Sequence, residues 1–320
     1  MSATMKIWLV IATSLVAVGV IVFVIVMSIN GWDFTKIGTV KFRTNTYEVA
    51  DEFSGISINT DTADIVFEPS NDEKCKVVCY EKEKIEHSVS VVDGVLKVGV
   101  TDNRQWYERI GITFKNQRIT VYLPQSEYSS LVVKESTGDI ALPSDFKFGT
   151  IDISVNTGNV NCSASATGNI KVTTTTGSVR VSNATADSLN ISVITGDVTV
   201  SSVTCANGIT VGVTTGYAHL EDIECKEIAS QGSTGSITLK NAIAYSKFSV
   251  ERTTGNVSFV GADAGEIFVR TSTGSVNGSL LTAKVFVANT STGSVSVPST
   301  TTGGKCEITT STGNIRITIA

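Results

Sequence analysis

The stretch "TSTGSVSVP", residues 290–298, has close copies on either side: "TSTGSVNGS" begins at Thr271 and "TTSTGNIRI" begins at Thr309. Following the Thr-Gly pair along the chain gives Gly138, Gly158, Gly177, Gly196, Gly216, Gly235, Gly255, Gly274, Gly293 and Gly313, every step 19 or 20 residues. A period of that size, held over the last three fifths of the chain, is the signature of a solenoid in which each repeat is one coil stacked on the next.

Aligned on the glycine, the column seven residues earlier is apolar throughout, from Leu131, Ile151 and Ile170 to Phe286 and Cys306. The column five residues earlier is nearly so, with Val133, Ile153, Val172 and Ile191 among its members, while Asp152, Lys171 and Asn190 lie between the two. Beyond the glycine the alternation resumes, as in Val198 and Val200 or Ile237 and Leu239. Period two with one apolar face describes short strands, so each coil reads as two strands joined at a glycine corner. Glycine suits that corner because it reaches positive φ and lets stacked backbones approach closely. Extending the same parity, the Thr before each glycine (Thr137, Thr157 and so on to Thr312) is expected to lean inward and bond backbone groups at the turn.

The fold class is therefore all-β: a parallel β-solenoid of about ten to eleven coils with a 19–20-residue period, preceded by one transmembrane helix. An extra copy precedes the regular array, because "ISINTDTADIVF" from Ile56 matches "LVVKESTGDIAL" from Leu131 position for position, with Ala63 in the glycine's place. Between them, alternating segments near residues 76–81, 88–100 (turned at Asp93-Gly94) and 118–123 suit antiparallel strands that cap the first coil and cover its open edge. At the N-terminus, Ile7 through Ile29 run 23 residues without a charge, enough for one membrane span. The run is too long for a signal peptide's apolar region and passes directly into Asn30, Gly31 and Trp32, which favours an uncleaved anchor. Charge gives little orientation: Lys6 precedes the span, and Lys36, Lys41 and Arg43 follow it. A strand-rich, hydroxyl-rich repeat behind such an anchor places the solenoid outside the membrane. The expected domains are an anchor (1–30), a juxtamembrane linker (31–52), a first coil with its strand-rich cap (53–130) and the regular repeats (131–320).

Chemistry is sparse. The net charge of −5 argues against nucleic acid as a partner. An enzyme on such a rod would need carboxylates converging on an outer face, but the outward columns are mostly Ser, Thr and Asn. Glu251 and Arg270, in one outward column, read as a surface salt bridge, and Glu221, Asp222 and Glu224 near His219 as a solvated acidic loop. His87 and His219 are the only histidines and lie far apart, so no metal site and no triad is expected. The residue after the glycine is Asp139, Asn159, Ser178, Asp197, Tyr217 and Ser236 in successive copies, too irregular for calcium-binding coils. Ice binding through the Thr ladder is set aside because those Thr are expected to face inward and the outward columns are mixed. Trp106 and Tyr107 are the aromatics that could face a sugar, with closure of the cap as their plainer role. Cys205 and Cys225 should neighbour each other on adjacent coils, leaving a bridge between them open, whereas Cys162 and Cys306 occupy core columns.

"ITVYLP" (119–124), "VVDGVLKVGV" (91–100) and the turns "STGDI", "NTGNV", "TTGSV" and "ITGDV" resemble bacterial proteins of the DUF4097 type, a group of candidate adhesins. The likeness runs from about residue 53 to 320. It implies a β-solenoid with a strand-rich lead-in, a place in the cell envelope, and no catalytic residues or cofactors. The reading is a single-pass, membrane-anchored presentation or binding platform whose partner is a cell-wall polymer or envelope protein. A carbohydrate-active enzyme of the envelope, or an accessory of envelope-stress signalling, is the alternative.

Overall fold

The computed structural model describes residues 2–33, 40–105 and 116–320. A single helix, Ala3–Ile29, opens the chain; Ser2 caps it by accepting from the Met5 N–H at 3.3 Å, and Gly31 leaves it at φ 64°. Its 27 residues span about 40 Å, more than the ~30 Å of a bilayer core. Apolar side chains such as Trp8, Leu15 and Ile21 are exposed along it, which suits lipid as the surrounding medium.

The rest of the described chain is one continuous ladder. The strands Lys147–Thr157, Asn169–Thr176, Ser188–Thr195 and Gly208–Thr215 pair in parallel, each with the same column of the next coil. Inside run the columns predicted from the alternation: Ile151, Ile170, Leu189 and Ile209 stack in one, Ile153, Val172, Ile191 and Val211 in another, all buried.

The glycine corner is dictated by how closely coils approach. At Gly255, with φ 147°, an added Cβ would sit 2.1 Å from the Gly235 carbonyl oxygen, and each stacked corner repeats this clash at 1.9 to 2.1 Å. No side chain fits there. The structure adds a second corner six residues later, where Asn183, Ser202, Asp222, Asn241 and Gly261 all take φ between 48° and 59°. Asn and Asp tolerate this left-handed region best after glycine. These five coils therefore carry a third short run after their two strands, bearing buried Ala184, Val203, Ile223, Ala242 and Ala262.

The upstream copy is the first coil, as predicted: Gly55–Thr62 pairs with Glu127–Thr137 and Asp64–Pro69 with Ile140–Leu142. Below it the ladder changes sense. Val95–Asp102 lies parallel to the first coil but antiparallel to Ile85–Val92, through a turn with Asp93 at φ 55° and Gly94 at φ 71°. On the other side Arg118–Leu123 runs parallel to the first coil and antiparallel to Cys75–Lys82, which Phe42–Val49 covers in turn.

The far end departs from the expected one-after-another stacking. Val257–Thr273 pairs with Gly304–Thr312, and only that strand pairs with Lys284–Thr292. The coil of Gly313 is thus inserted between those of Gly274 and Gly293. Lys284 is buried and reaches across the insertion to Asp263 at 2.7 Å, fixing the end coil over a distance of two layers. That end coil exposes Val285, Val287 and Val295.

Candidate functional site: the outward columns

Strand alternation keeps the residue three places before each corner glycine inward and turns the next two outward. The Thr immediately before the glycine is therefore exposed in all ten copies, contrary to the inward lean expected from parity. The physical reason is that the corner begins earlier than the glycine, so the period-two rule fails over its last two positions. With Thr62 the ladder has eleven members in register, the Thr62–Thr137 and Thr273–Thr312 pairs included. Beside it runs a second exposed column containing Asn156, Thr175, Thr214, Ser233, Thr253 and Ser311. Thr facing inward would have excluded ice binding; the mixture in this second column, with Asp61 and exposed Ile194, still denies ice a uniform plane.

The hydroxyls that bond the corner belong to the column three before the glycine. Thr310 donates to the Gly274 carbonyl at 3.0 Å and Thr290 to Gly313 at 2.9 Å, with Thr174 and Thr271 doing the same at 3.5 and 3.4 Å. The residue after the glycine has a structural task as well. Asp139 accepts from the Asn159 backbone N–H at 2.7 Å, Asn159 from Ser178 at 2.9 Å, Asp197 from Tyr217 at 2.8 Å and Asn256 from Ser275 at 2.8 Å. A side-chain acceptor is what the Asp and Asn of this column share, which explains them without any ion, while Tyr217 breaks the pattern.

The sequence candidates resolve as follows. Glu251 and Arg270 are register partners on exposed positions, yet they close no ion pair within 4.0 Å. Glu221 is paired with Lys240 and, at 3.2 Å, with His219 Nε2; the Lys240 hydrogen bond first, then His219, holds its carboxyl below the usual range. Asp222 is one of the left-handed corner residues and accepts from Asn241 Nδ2 at 3.0 Å. These acids are spoken for and do not converge. Cys205 and Cys225 are free, buried thiols, and Cys162 and Cys306 are buried as expected. Trp106 and Tyr107 lie outside the described residues.

One polar cluster escaped the sequence reading. In the cap Glu81 is fully buried and accepts from Asn45 Nδ2, the His87 backbone N–H at 2.9 Å, His87 Nδ1 at 2.6 Å and Arg43 Nε at 3.3 Å. Tyr47 donates to the His87 carbonyl at 2.6 Å, tying the outer strand to the hairpin. Cys79 approaches the same pair, but burial pushes its thiol up to about 12, so it stays protonated. A 2.6 Å contact between His87 and Glu81 is a hydrogen bond, shorter than two ligands of one metal ion allow. The cluster is a lock on the cap. Pairing of Cys75–Lys82 with Phe42–Val49, which brings Asn45 and Arg43 to Glu81, was the missing information.

The Toastrack DUF4097 family model matches residues 53–216 and 206–320, together spanning the solenoid and its lead-in. The chain belongs to this family. Among solved structures it is similar to a candidate adhesin from Bacteroides fragilis, at 17% identity over 87% of this chain and 97% of that one, TM-score 0.42. A candidate adhesin from Parabacteroides distasonis matches at 12% identity over 88% and 98%, TM-score 0.48. A candidate lipid-binding protein from the same species matches at 16% identity over 74% and 96%, TM-score 0.47. No curated protein matches.

Proposed function

We propose that this Toastrack protein is held in the cell membrane by its N-terminal helix and presents the solenoid outside the cell as an adhesin-like binding platform without catalytic activity. The observation that carries the reading is the outer face. Eleven coils align hydroxyl and amide side chains in exposed rows about 4.8 Å apart, and Glu221 and Asp222 along them are held by Lys240, His219 and Asn241. Contacts repeated at every coil suit an extended polymer, whose affinity is then spread along the rod. Membership of the family and the exposed apolar helix support the same reading.

The test is co-sedimentation of the full chain, in detergent, with purified cell-wall polysaccharide. Removing residues 158–195 joins Thr157 to Gly196 and deletes two coils in register; it should weaken retention at least tenfold, whereas His219→Ala should leave it within twofold. Depolymerisation of the polysaccharide, lost on substitution of a single carboxylate, would replace the platform by an enzyme.

A further inference from the structure

The inward column three residues before the corner glycine runs Val193, Val213, Gly232, Arg252 and Thr271 through five successive coils. An arginine in a core column is anomalous. Arg252 is 3% exposed, and its side chain turns back along the rod into space left by Gly232, with Nη1 only 1.7 Å from where a Cβ on that glycine would lie. Nη2 donates to Ser230 Oγ at 2.8 Å and Nη1 to the Val213 carbonyl at 3.4 Å, while Nε has no partner. No carboxylate pairs with it among the described residues. Glu251, its neighbour in sequence, is sent outward by the strand alternation. Guanidinium groups stay charged in proteins even though burial, as here, pulls the pKa down from its ordinary value. Burying such a charge without a counter-ion is unfavourable.

Arg252 also lines a groove of about 590 Å³ in the outer face, together with Arg270, Gln231, Gly212 and the hydroxyls of Ser233 and Ser272. Gly212 leaves a gap in the outward column, and the Arg252 guanidinium occupies the space beside Gly232. A smaller hollow of about 270 Å³ continues from it, sharing Glu251 and Arg270 and reaching Phe268. Lys247 lies over the Phe268 ring, its Nζ 4.4 Å from the centroid, so it adds positive charge beside the groove. On a chain of net charge −5, the groove itself holds Arg252 and Arg270 against Glu251, and the adjoining hollow adds Glu307, which Lys305 pairs at 2.6 Å. Gln231, Ser233 and Ser272 line the groove beside Arg252 and offer further polar groups.

We infer that this groove binds the carboxylate of an acidic sugar within an extended polysaccharide, with Arg252 and Arg270 as the carboxylate-binding residues and the adjoining Ser and Thr hydroxyls meeting the sugar. The inference rests on the platform reading and names the chemistry of its ligand. Three N–H groups of Arg252 are uncommitted, Nε–H among them, and a planar guanidinium edge matches the two oxygens of a carboxylate. The hydroxyl columns beside the groove extend the contact to neighbouring sugars.

The experiment is calorimetric titration of the full chain, in detergent, with a galacturonic acid tetrasaccharide, its methyl ester and inorganic phosphate. The acid should bind, and the ester, which keeps the sugar rings but replaces each carboxylate by an uncharged, bulkier group, should bind at least tenfold more weakly. Arg252→Gln should abolish detectable binding of the acid, Arg270→Gln should weaken it about fivefold, and Glu251→Gln should tighten it. Equal affinity for acid and ester overturns the inference, as does displacement of the acid by equimolar phosphate, which would make the site a simple oxyanion site. Arg270 is exposed, so its variant remains informative if Arg252→Gln fails to fold; an unchanged Kd for Arg270→Gln contradicts the assignment. The deletion of residues 158–195 removes Ser192 and Val193 from the groove's edge but brings Ser154 and Val155 into the same columns, and it leaves Gln231, Arg252 and Arg270 in place. Polymer retention that falls with that deletion, while both arginine variants bind the tetrasaccharide like the parent, would leave the platform standing and remove the groove.

Discussion

Glu135 occupies the same inward column that holds Thr174 and Thr310 in later coils, and its burial makes the rod's stability depend on pH. The carboxyl is 5% exposed; one oxygen accepts from the Ala63 N–H at 3.2 Å and the Thr137 N–H at 3.4 Å, and the other has no partner. Burial raises its pKa from 4.5 to about 8, with Asp61 and Asp64 adding to the rise and the two N–H donors opposing it. Because the folded state holds the proton more tightly, this group's stabilisation is complete below about pH 4.5 and is lost as pH rises to about 8. At about 1.4 kcal/mol for each pH interval of one, the whole window corresponds to roughly 5 kcal/mol. Relaxation of the surroundings around the ionised carboxyl reduces this to about 2–3 kcal/mol. Glu135→Gln imitates the protonated form. Denaturant unfolding of both proteins across pH 5 to 9 should therefore give near-equal stability at the acid end and a variant more stable by about 2–3 kcal/mol at the alkaline end. A difference that does not change with pH would refute the reasoning, and a variant weaker throughout would show that the carboxylate is stabilising.

Two further outcomes follow from the stacking. Gly255→Val forces a side chain into the Gly235 carbonyl and a branched residue into positive φ, so it should cost at least about 3 kcal/mol, whereas Ser258→Val on an outward strand position should stay within about 0.5 kcal/mol; equal melting temperatures would show the register to be wrong. Removing residues 298–320 takes out an interior coil, leaving Lys284–Thr292 without its partner strand, and should produce protease-sensitive chain from about residue 276 onward. Resistance there equal to that of the intact protein would contradict the inserted coil.

Much of this architecture was legible because it is written in period two. Ile151, Ile170 and Leu189 declare a core column on sight, and Ala63 announced the first coil despite lacking the glycine. The Thr ladder was misread since alternation holds along a strand and fails across a corner; two consecutive outward positions carry no mark in a column made of Ser and Thr. Coil order at the far end was hidden for a different reason. Repeats that match in every column can stack in any order, and the choice falls to single contacts such as Lys284 with Asp263. Glu81 and His87 stand on successive strands that pair with other partners, so only the assembled cap brings them together. Arg252 did stand in the sequence as a charge in an inward column, and counting that column three places before the glycine would have found it.

The claim on which the rest depends is that the solenoid stands outside an uncleaved anchor. Protease added to intact wall-stripped cells, followed by detection of tags at both ends of the chain, tests it directly. The account predicts that the C-terminal tag and the solenoid are shaved away, leaving a short membrane-bound stub with the original N-terminus. A full-length chain protected until the membrane is broken would contradict it.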